Sequence, residues 1–298
     1  YKLIGLEIEA LQAEHEETMK NIALYKDILD NYDSMAAVII KDMDAIKKEY
    51  GRKRRTAIEN AEEAVYEEKK MEEMEVCFLM DRFGYMKLID KNAYERNKEA
   101  VHNENKYVFN CMNTDKICIF TDTGKMHTIK AVDIPLGRFR DKGTPVDNLS
   151  NYDSSQERML YVAPVGQLRS DRLLFVTKTS MCKLVEGAEF DVAKRTIAST
   201  KLADEDELIF IGSASEMEQI VLQSHGGCFL RFLTQEVSTM KKTALGVRGM
   251  KLADDDYLEH AYLLAGHQEY TISYHDKEYA LNKVRLAKRD TKGIKPRI

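Results

Sequence analysis

Lysine and arginine residues recur in five small clusters between residues 96 and 288. Each copy of the pattern places cations two to eight positions after an apolar or aromatic residue, which usually follows an acid. A single cluster of this kind is usually a solvent-exposed edge. Five clusters at the same position of the repeat favour a continuous basic surface that binds a bent polyanion through its phosphates. The candidate binding residues are Arg96, Lys98, Arg138, Arg140, Lys142, Lys194, Arg195, Lys241, Lys242, Arg248, Lys283, Arg285 and Lys288.

Two further basic stretches are less specific. Residues 246–249 (Gly-Val-Arg-Gly) add flexible backbone beside the fourth cluster, where N–H groups can reach a phosphate. Residues 52–55 (Arg-Lys-Arg-Arg) follow a predicted helix end, where cations suit the helix dipole. A solvated basic turn and a phosphate contact both remain open for this run.

The other reactive side chains form no coherent catalytic or metal-binding set. The histidines share no repeatable offset to a Cys, Ser or Asp, so we expect no catalytic triad. Three acids at 204–206 and three at 254–256 would suit Mg²⁺ or Ca²⁺, but their recurrence once per repeat favours hairpin tips. The five cysteines contain no C-x-x-C pair and are predicted to be buried, reduced thiols.

A repeated unit between residues 76 and 282 must position the basic clusters. In each copy an apolar run enters a tight turn, a second run leaves it, and the apolar anchor follows ten or eleven positions after the turn. The predicted turn residues, Gly84, Gly124, Ser180, Gly226 and Glu269, lie 40, 56, 46 and 43 positions apart. This spacing is in the range of one four-stranded blade per repeat, and such units must stack to bury both sheet faces. The chain is therefore predicted to be mainly β and propeller-like, with about five four-stranded blades.

The N-terminal part has a different pattern. Apolar residues at three- and four-residue spacing predict helices over 3–29 and 34–50, with an N-cap at Asp33-Ser34 and a stop at Gly51. We place a helical, coiled-coil-like segment at 1–51, a basic and then acidic linker at 52–73, and the β domain at 74–298. Two helices alone bury little area, so we expect the end of a larger helical region or a dimer contact.

Charge and hydropathy limit the class of protein. Residues 1–73 carry 12 Lys and Arg against 18 Asp and Glu, whereas the rest is nearly neutral with 33 against 32. Any basic surface must therefore be local. With no long apolar run and no signal peptide, we expect a soluble, cytoplasmic protein without membrane contact. A start at Tyr1, within a helical pattern, predicts a fragment of a longer protein.

Three stretches of the chain carry a family resemblance, in the family's own order. Residues 3–9 (LIGLEIE) look like a helix of a dimerising coiled coil, and 46–56 (IKKEYGRKRRT) like the segment that follows it. Residues 132–135 (VDIP), 138–148 with their Gly-Thr-Pro-Val centre, and 245–252 (LGVRGMKL) look like a C-terminal β-pinwheel. Together they resemble the A subunit of bacterial type IIA topoisomerases, which are DNA gyrase and topoisomerase IV.

This resemblance implies a ring of blades that binds duplex DNA on its basic rim, without sequence preference, and bends it toward the cleavage gate of the parent enzyme. The family's catalytic tyrosine and its adjacent arginine correspond to no part of this chain, so the fragment alone is expected to be non-catalytic. The implied parent is an ATP-dependent type II topoisomerase, an isomerase, located in the bacterial cytoplasm and associated with the nucleoid. Its implied partners are an ATPase B subunit, duplex DNA and the rest of the topoisomerase A subunit. ATP and Mg²⁺ would act through other regions, with no cofactor in this chain.

The chain departs from the family's gyrases in the first repeat. Where gyrases carry a glycine-rich basic heptapeptide of the type QRRGGKG, residues 94–100 read Tyr-Glu-Arg-Asn-Lys-Glu-Ala. The missing glycines and added acids predict weak DNA wrapping and favour topoisomerase IV or a divergent gyrase. The alternative function is a protein-interaction propeller that uses its face and binds no nucleic acid.

Overall fold

The computed structural model describes residues 2–56, 72–266 and 268–296. The chain divides into two compact units, Tyr1–Lys69 and Lys70–Ile298. Most of the predicted linker at 52–73 lies outside the described residues, as does His267.

The described part of the first unit contains two helices, α1 (Lys2–Asp30) and α2 (Tyr32–Tyr50). The predicted cap at Asp33-Ser34 is wrong by two to three residues, because the Asn31 side chain accepts from the Asp33 N–H and caps α2. Gly51 ends α2, with its N–H bonded to the Lys47 carbonyl. Leu29 and Tyr32 are 73% and 81% exposed, so the two helices leave apolar surface of this unit uncovered. No helix among the described residues is long and apolar enough to cross a membrane.

The residues described in the second unit form five antiparallel sheets, each built around one hairpin. Sheet 1 contains β1 (Glu75–Asp81), β2 (Tyr85–Asp90), β3 (Asn105–Met112) and β6 (Thr144–Pro145), and sheet 2 contains β4 (Lys116–Thr121), β5 (Lys125–Lys130), β7 (Met159–Pro164) and β10 (Thr196–Ala198). Sheet 3 contains β8 (Arg172–Thr177), β9 (Met181–Glu186), β11 (Leu208–Ser213) and β14 (Val247–Arg248). Sheet 4 contains β12 (Gln219–Ser224), β13 (Phe229–Leu233) and β15 (Leu258–Leu264), and sheet 5 contains β16 (Thr271–Tyr274) and β17 (Lys277–Ala280).

The sheets are linked by strand exchange. The last strand of sheets 1, 2 and 3 (β6, β10 and β14) comes from the repeat that follows, and it pairs with the second strand of the hairpin. In sheet 4 the same place is taken by Ile294, which bridges to Phe229. Each repeat therefore completes the sheet before it, which ties neighbouring sheets together in addition to their packing.

Short helices lie between the strands. Helix α3 (Lys91–Glu104) follows β2, is capped by the Asp90 side chain and is kinked at Asn97. Helices α4 (Val146–Leu149) and α5 (Val165–Leu168) are single turns. A 3₁₀ turn follows the hairpins of sheets 2 to 5.

The core lies between successive sheets. Apolar side chains of sheets 1 and 2 form one buried cluster, and further clusters join sheets 2 and 3, sheets 3 and 4, and sheets 4 and 5. The opposite face of sheet 1 packs against Tyr94 and Val101 of α3. Four of the five cysteines are buried and all five are free, in agreement with the prediction of buried thiols.

The predicted mainly β, five-bladed pinwheel preceded by helices is confirmed, with two corrections to the register. In the fourth repeat the turn residue with positive φ is Gly227, not Gly226. In the fifth repeat the turn is His275-Asp276, not Glu269, and the buried anchor is Val284, not Tyr279. The apolar run at 262–264, which the repeat pattern assigns to the fifth hairpin, belongs instead to β15 of sheet 4.

Candidate nucleic-acid interface

Four segments connect the 3₁₀ turns to the exchanged strands, and we call them crossing loops 1 to 4. They span residues 135–143, 191–195, 238–246 and 285–293. Each runs along the edge of the preceding sheet that is formed by the second hairpin strand. Because the path recurs on sheets that stack in order, the four loops lie at equivalent edges of the stack.

Backbone hydrogen bonds fix each crossing loop to its edge. In loop 1, Leu88 donates to the Pro135 carbonyl at 3.0 Å and accepts from Gly137 at 2.9 Å. In loop 3, Leu184 makes the matching pair with Ser238 and Met240 at 3.2 and 2.8 Å. In loop 2 the Arg195 carbonyl accepts from the Thr128 N–H. In loop 4 the Ala287 N–H donates to the Arg231 carbonyl. The loops are thus parts of the sheet edges.

Eleven of the thirteen predicted binding residues lie on or beside the crossing loops. They are Arg138, Arg140 and Lys142 of loop 1, Lys194 and Arg195 of loop 2, Lys241 and Lys242 of loop 3 with Arg248 in β14, and Arg285 and Lys288 of loop 4 with Lys283 just before it. All are exposed except Lys242, which is half-buried. The structure therefore brings these residues to one kind of position, the edge of a sheet.

Arg96 and Lys98 occupy a different setting. Both are exposed on α3, which covers a face of sheet 1 rather than an edge. The Lys98 ammonium lies 6.0 Å from the Tyr94 ring centroid, and Glu95 and Glu99 flank the two cations. Residues 94–100 lie within α3, which is kinked at Asn97, and therefore do not form an open loop that could present a run of backbone N–H groups to a ligand.

The acids within the clusters have structural partners. The Asp141 carboxylate accepts from the Arg138 N–H at 2.7 Å and closes a turn in loop 1. Glu189 lies 3.5 Å from the Lys241 ammonium and also accepts from the Lys242 N–H at 3.1 Å. Arg248 forms an ion pair with Asp290. Loop 3 thus presents less free positive charge than its composition indicates.

Sequence reasoning missed two lysines beneath the loops, Lys87 in β2 and Lys183 in β9. Lys183 is 1% exposed, and its ammonium donates to the Lys242 and Ala244 carbonyls, each at 2.7 Å. Lys87 donates to the Phe139 carbonyl and, at 2.6 Å, to the Asp141 carbonyl. The available signal was a lysine three positions after the turn residue in repeats 1 and 3, within otherwise apolar strands.

In sheet 2 the same position holds His127. Burial lowers the pKa of the His127 ring, although the neighbouring Glu157 carboxylate raises it in part, so burial favours the neutral ring. Its two nitrogens lie 3.1 Å from the Thr196 hydroxyl and 3.0 Å from the Glu157 carboxylate. This position therefore contacts the exchanged strand β10.

Comparisons with known proteins agree with this architecture. The family described as DNA gyrase C-terminal domain, beta-propeller, matches residues 115–154, 171–215 and 218–265. The A subunit of DNA gyrase from Clostridium acetobutylicum is 30% identical over 83% of this chain and 31% of its own length. The same subunit of Ureaplasma parvum gyrase is 25% identical over 98% of this chain and 36% of its own length.

The β unit belongs to the DNA gyrase C-terminal domain family. The predicted resemblance to type IIA topoisomerase A subunits is therefore confirmed. A solved C-terminal domain of DNA topoisomerase IV has the same fold, with a TM-score of 0.66, 22% identity, and coverage of 74% of this chain and 72% of that one. The present chain spans about a third of the length of these two gyrase subunits. In the first blade of this family member, helix α3 contains residues 94–100, the segment that lacks the glycines of the gyrase heptapeptide.

Proposed function

We propose that the β unit binds duplex DNA through its phosphates and bends it, as part of a type IIA topoisomerase A subunit. The observation that carries this proposal is the recurrence of exposed cations on all four crossing loops, at one position of each sheet. Long exposed lysine and arginine side chains suit phosphate contacts, which set position and affinity but carry no sequence information. Binding is therefore independent of sequence.

The bend is partial in this proposal. Bending a duplex by about 40–90° over about 20–30 base pairs costs on the order of 1–6 kcal/mol, which phosphate contacts must offset. Loops 1 to 4 supply such contacts on sheets 1 to 4. Arg96 and Lys98 add little, because they lie on α3 beside Glu95 and Glu99. The duplex is consequently held along the four loops but gains little from α3, so it does not make a full turn.

The parent protein completes the activity. We propose that the chain acts with an ATPase B subunit, together with the rest of its own topoisomerase A subunit, and that it presents DNA to their cleavage gate. ATP and Mg²⁺ act through those other regions. We assign no catalytic role to residues of this chain.

A charge-reversal experiment tests the DNA-binding proposal. The variant Lys194→Glu with Arg195→Glu places two acids on loop 2 and should weaken duplex binding by at least about tenfold at 0.1 M salt, because two phosphate contacts become repulsive. The control, Lys20→Glu with Lys26→Glu, makes the same charge change on exposed positions of α1. Fluorescence anisotropy of a labelled duplex measures both.

The two variants separate DNA binding from the protein-interaction alternative. Equal loss of affinity in both would mean that net charge, not the crossing loops, controls binding. No duplex binding by the unmodified chain would contradict the proposal and favour a protein-binding propeller.

A further inference from the structure

Lys87 and Lys183 occupy equivalent positions under crossing loops 1 and 3. Each lies three residues after a turn residue with positive φ, which is Gly84 in one case and Ser180 in the other. Lys183 is fully buried and Lys87 is half-buried. A buried ammonium group is costly unless hydrogen bonds satisfy it, so the partners of these groups are informative.

The partners repeat in the two sheets. Lys87 donates to the carbonyls of Phe139 and Asp141, and Lys183 donates to those of Lys242 and Ala244. In both loops the two carbonyls lie four and two residues before a glycine with positive φ, which is Gly143 in loop 1 and Gly246 in loop 3.

The loop conformation repeats as well. The Asp141 N–H donates to the Arg138 carbonyl at 3.0 Å, and the Ala244 N–H donates to the Lys241 carbonyl at 3.0 Å. Each loop thus forms one turn whose inner carbonyls bind the lysine, while the basic side chains of Arg138 and Lys241 are exposed. The final glycines lie so close to the strands beneath that an added Cβ would be 2.6 Å from the Met86 carbonyl and 2.7 Å from the Cys182 carbonyl.

We propose that Lys87 and Lys183 are positioning residues that hold crossing loops 1 and 3 in the conformation that binds DNA phosphates. Neither ammonium needs to touch DNA. Each fixes two carbonyls of a loop from beneath, so the cations above are ordered before DNA arrives and less conformational entropy is lost on binding. This inference rests on the proposed DNA binding of the crossing loops.

The test replaces each lysine by methionine, which has a similar length but no charge and no donors. Lys183→Met and Lys87→Met should each weaken duplex binding by about three- to tenfold, and hydrogen exchange of the amides in 241–247 or 138–144 should accelerate by at least about tenfold without DNA. The melting temperature should not fall in Lys183→Met, since the variant no longer buries an ammonium group. Lys130→Met, at an exposed position of β5, removes the same charge and should change neither binding nor exchange.

Hydrogen exchange and duplex affinity test different claims. Hydrogen exchange tests the positioning role even if the unmodified chain binds no DNA, a result that would overturn only the proposed function. Unchanged exchange in both loops would overturn the positioning role. So would faster exchange with unchanged DNA affinity, or a lower melting temperature with protection lost throughout the β unit, because the lysines would then serve general stability.

Discussion

Arg248 and Asp290 form a two-point ion pair, with Nε 2.5 Å from Oδ1 and Nη2 3.2 Å from Oδ2. The pair joins β14 of sheet 3 to crossing loop 4. It also raises the pKa of Arg248 and lowers that of Asp290, in each case chiefly through the hydrogen bond between them. Arg248, a candidate DNA-binding residue, is therefore already paired, and the side chains of both Arg248 and Asp290 are partly exposed to solvent.

Asp290→Asn should strengthen DNA binding. The change frees Arg248 for a phosphate and removes a nearby negative charge, while asparagine tolerates the positive φ of 62° at this position. We expect affinity to rise about two- to fivefold at low salt, the scale of an exposed ion pair. The control is Asp255→Asn, at an exposed position of the turn between β14 and β15. These two strands belong to different sheets, so the predicted hairpin tip is wrong. An equal gain in the control would show that only net charge matters.

Loop 3 should contribute more to DNA binding than α3. The variant with Lys241, Lys242 and Arg248 replaced by alanine should lose at least about tenfold in affinity at 0.1 M salt, because phosphate contacts are lost. Each lost phosphate contact should also lower the slope of log affinity against log salt by about 0.9. Arg96→Ala with Lys98→Ala should lose less than about threefold. Salt titrations of both variants, together with the double variant Lys241→Ala with Lys242→Ala as a charge-matched case, measure the comparison. A larger loss in the α3 variant would reverse the assignment.

The stability of the β unit should depend on Lys183 at alkaline pH. Burial lowers the pKa of Lys183 from 10.5 to about 8, although the nearby Glu189 carboxylate raises it in part. Between these two values the unfolded chain binds more protons than the folded one, so the free energy of unfolding rises with pH. Relative to Lys183→Met, the unmodified chain should gain up to about 3 kcal/mol between pH 8 and 10.5. Urea denaturation at several pH values measures this difference, and a constant difference would contradict the burial of a charged ammonium.

Gly246→Ala should destabilise sheet 3. The backbone at Gly246 has a φ of 108°, and a Cβ would lie 2.7 Å from the Cys182 carbonyl. Such strain costs on the order of 1–3 kcal/mol and should displace β14, which follows directly. In the control, Gly166→Ala, the new Cβ meets only the movable end of the Asp115 side chain. Denaturant titration compares the two, and equal stabilities would mean that loop 3 can shift freely.

The repeat pattern predicted the stacked hairpins well because those strands are buried on both faces and read as apolar runs. Strand exchange could not be predicted in the same way. β6 and β14 contain two residues each, too few for a pattern, and their partners are distant in the chain. The position of the fifth hairpin was not predictable because it ends the stack, so Thr271 and Ser273 are exposed and interrupt its apolar run.

The basic clusters were visible as residue types, but their settings were not. The ion pair of Arg248 requires Asp290, which lies 42 residues away and in another repeat. Residues 94–100 lie in α3, and Asp90, whose side chain caps α3, was a sequence signal for this helix. Short-range patterns alone did not distinguish a helix from a loop there. Lys87 and Lys183 were overlooked because a lysine in a strand is usually exposed.

Salt dependence tests the central claim most directly. Affinity of the chain for two unrelated duplexes should be measured between about 50 and 200 mM salt. If the crossing loops neutralise about six to ten phosphates, affinity should fall by roughly 10³ to 10⁵ over this range and equally for both duplexes. A flat salt response, or strong preference for one duplex, would contradict DNA binding through phosphates along the crossing loops.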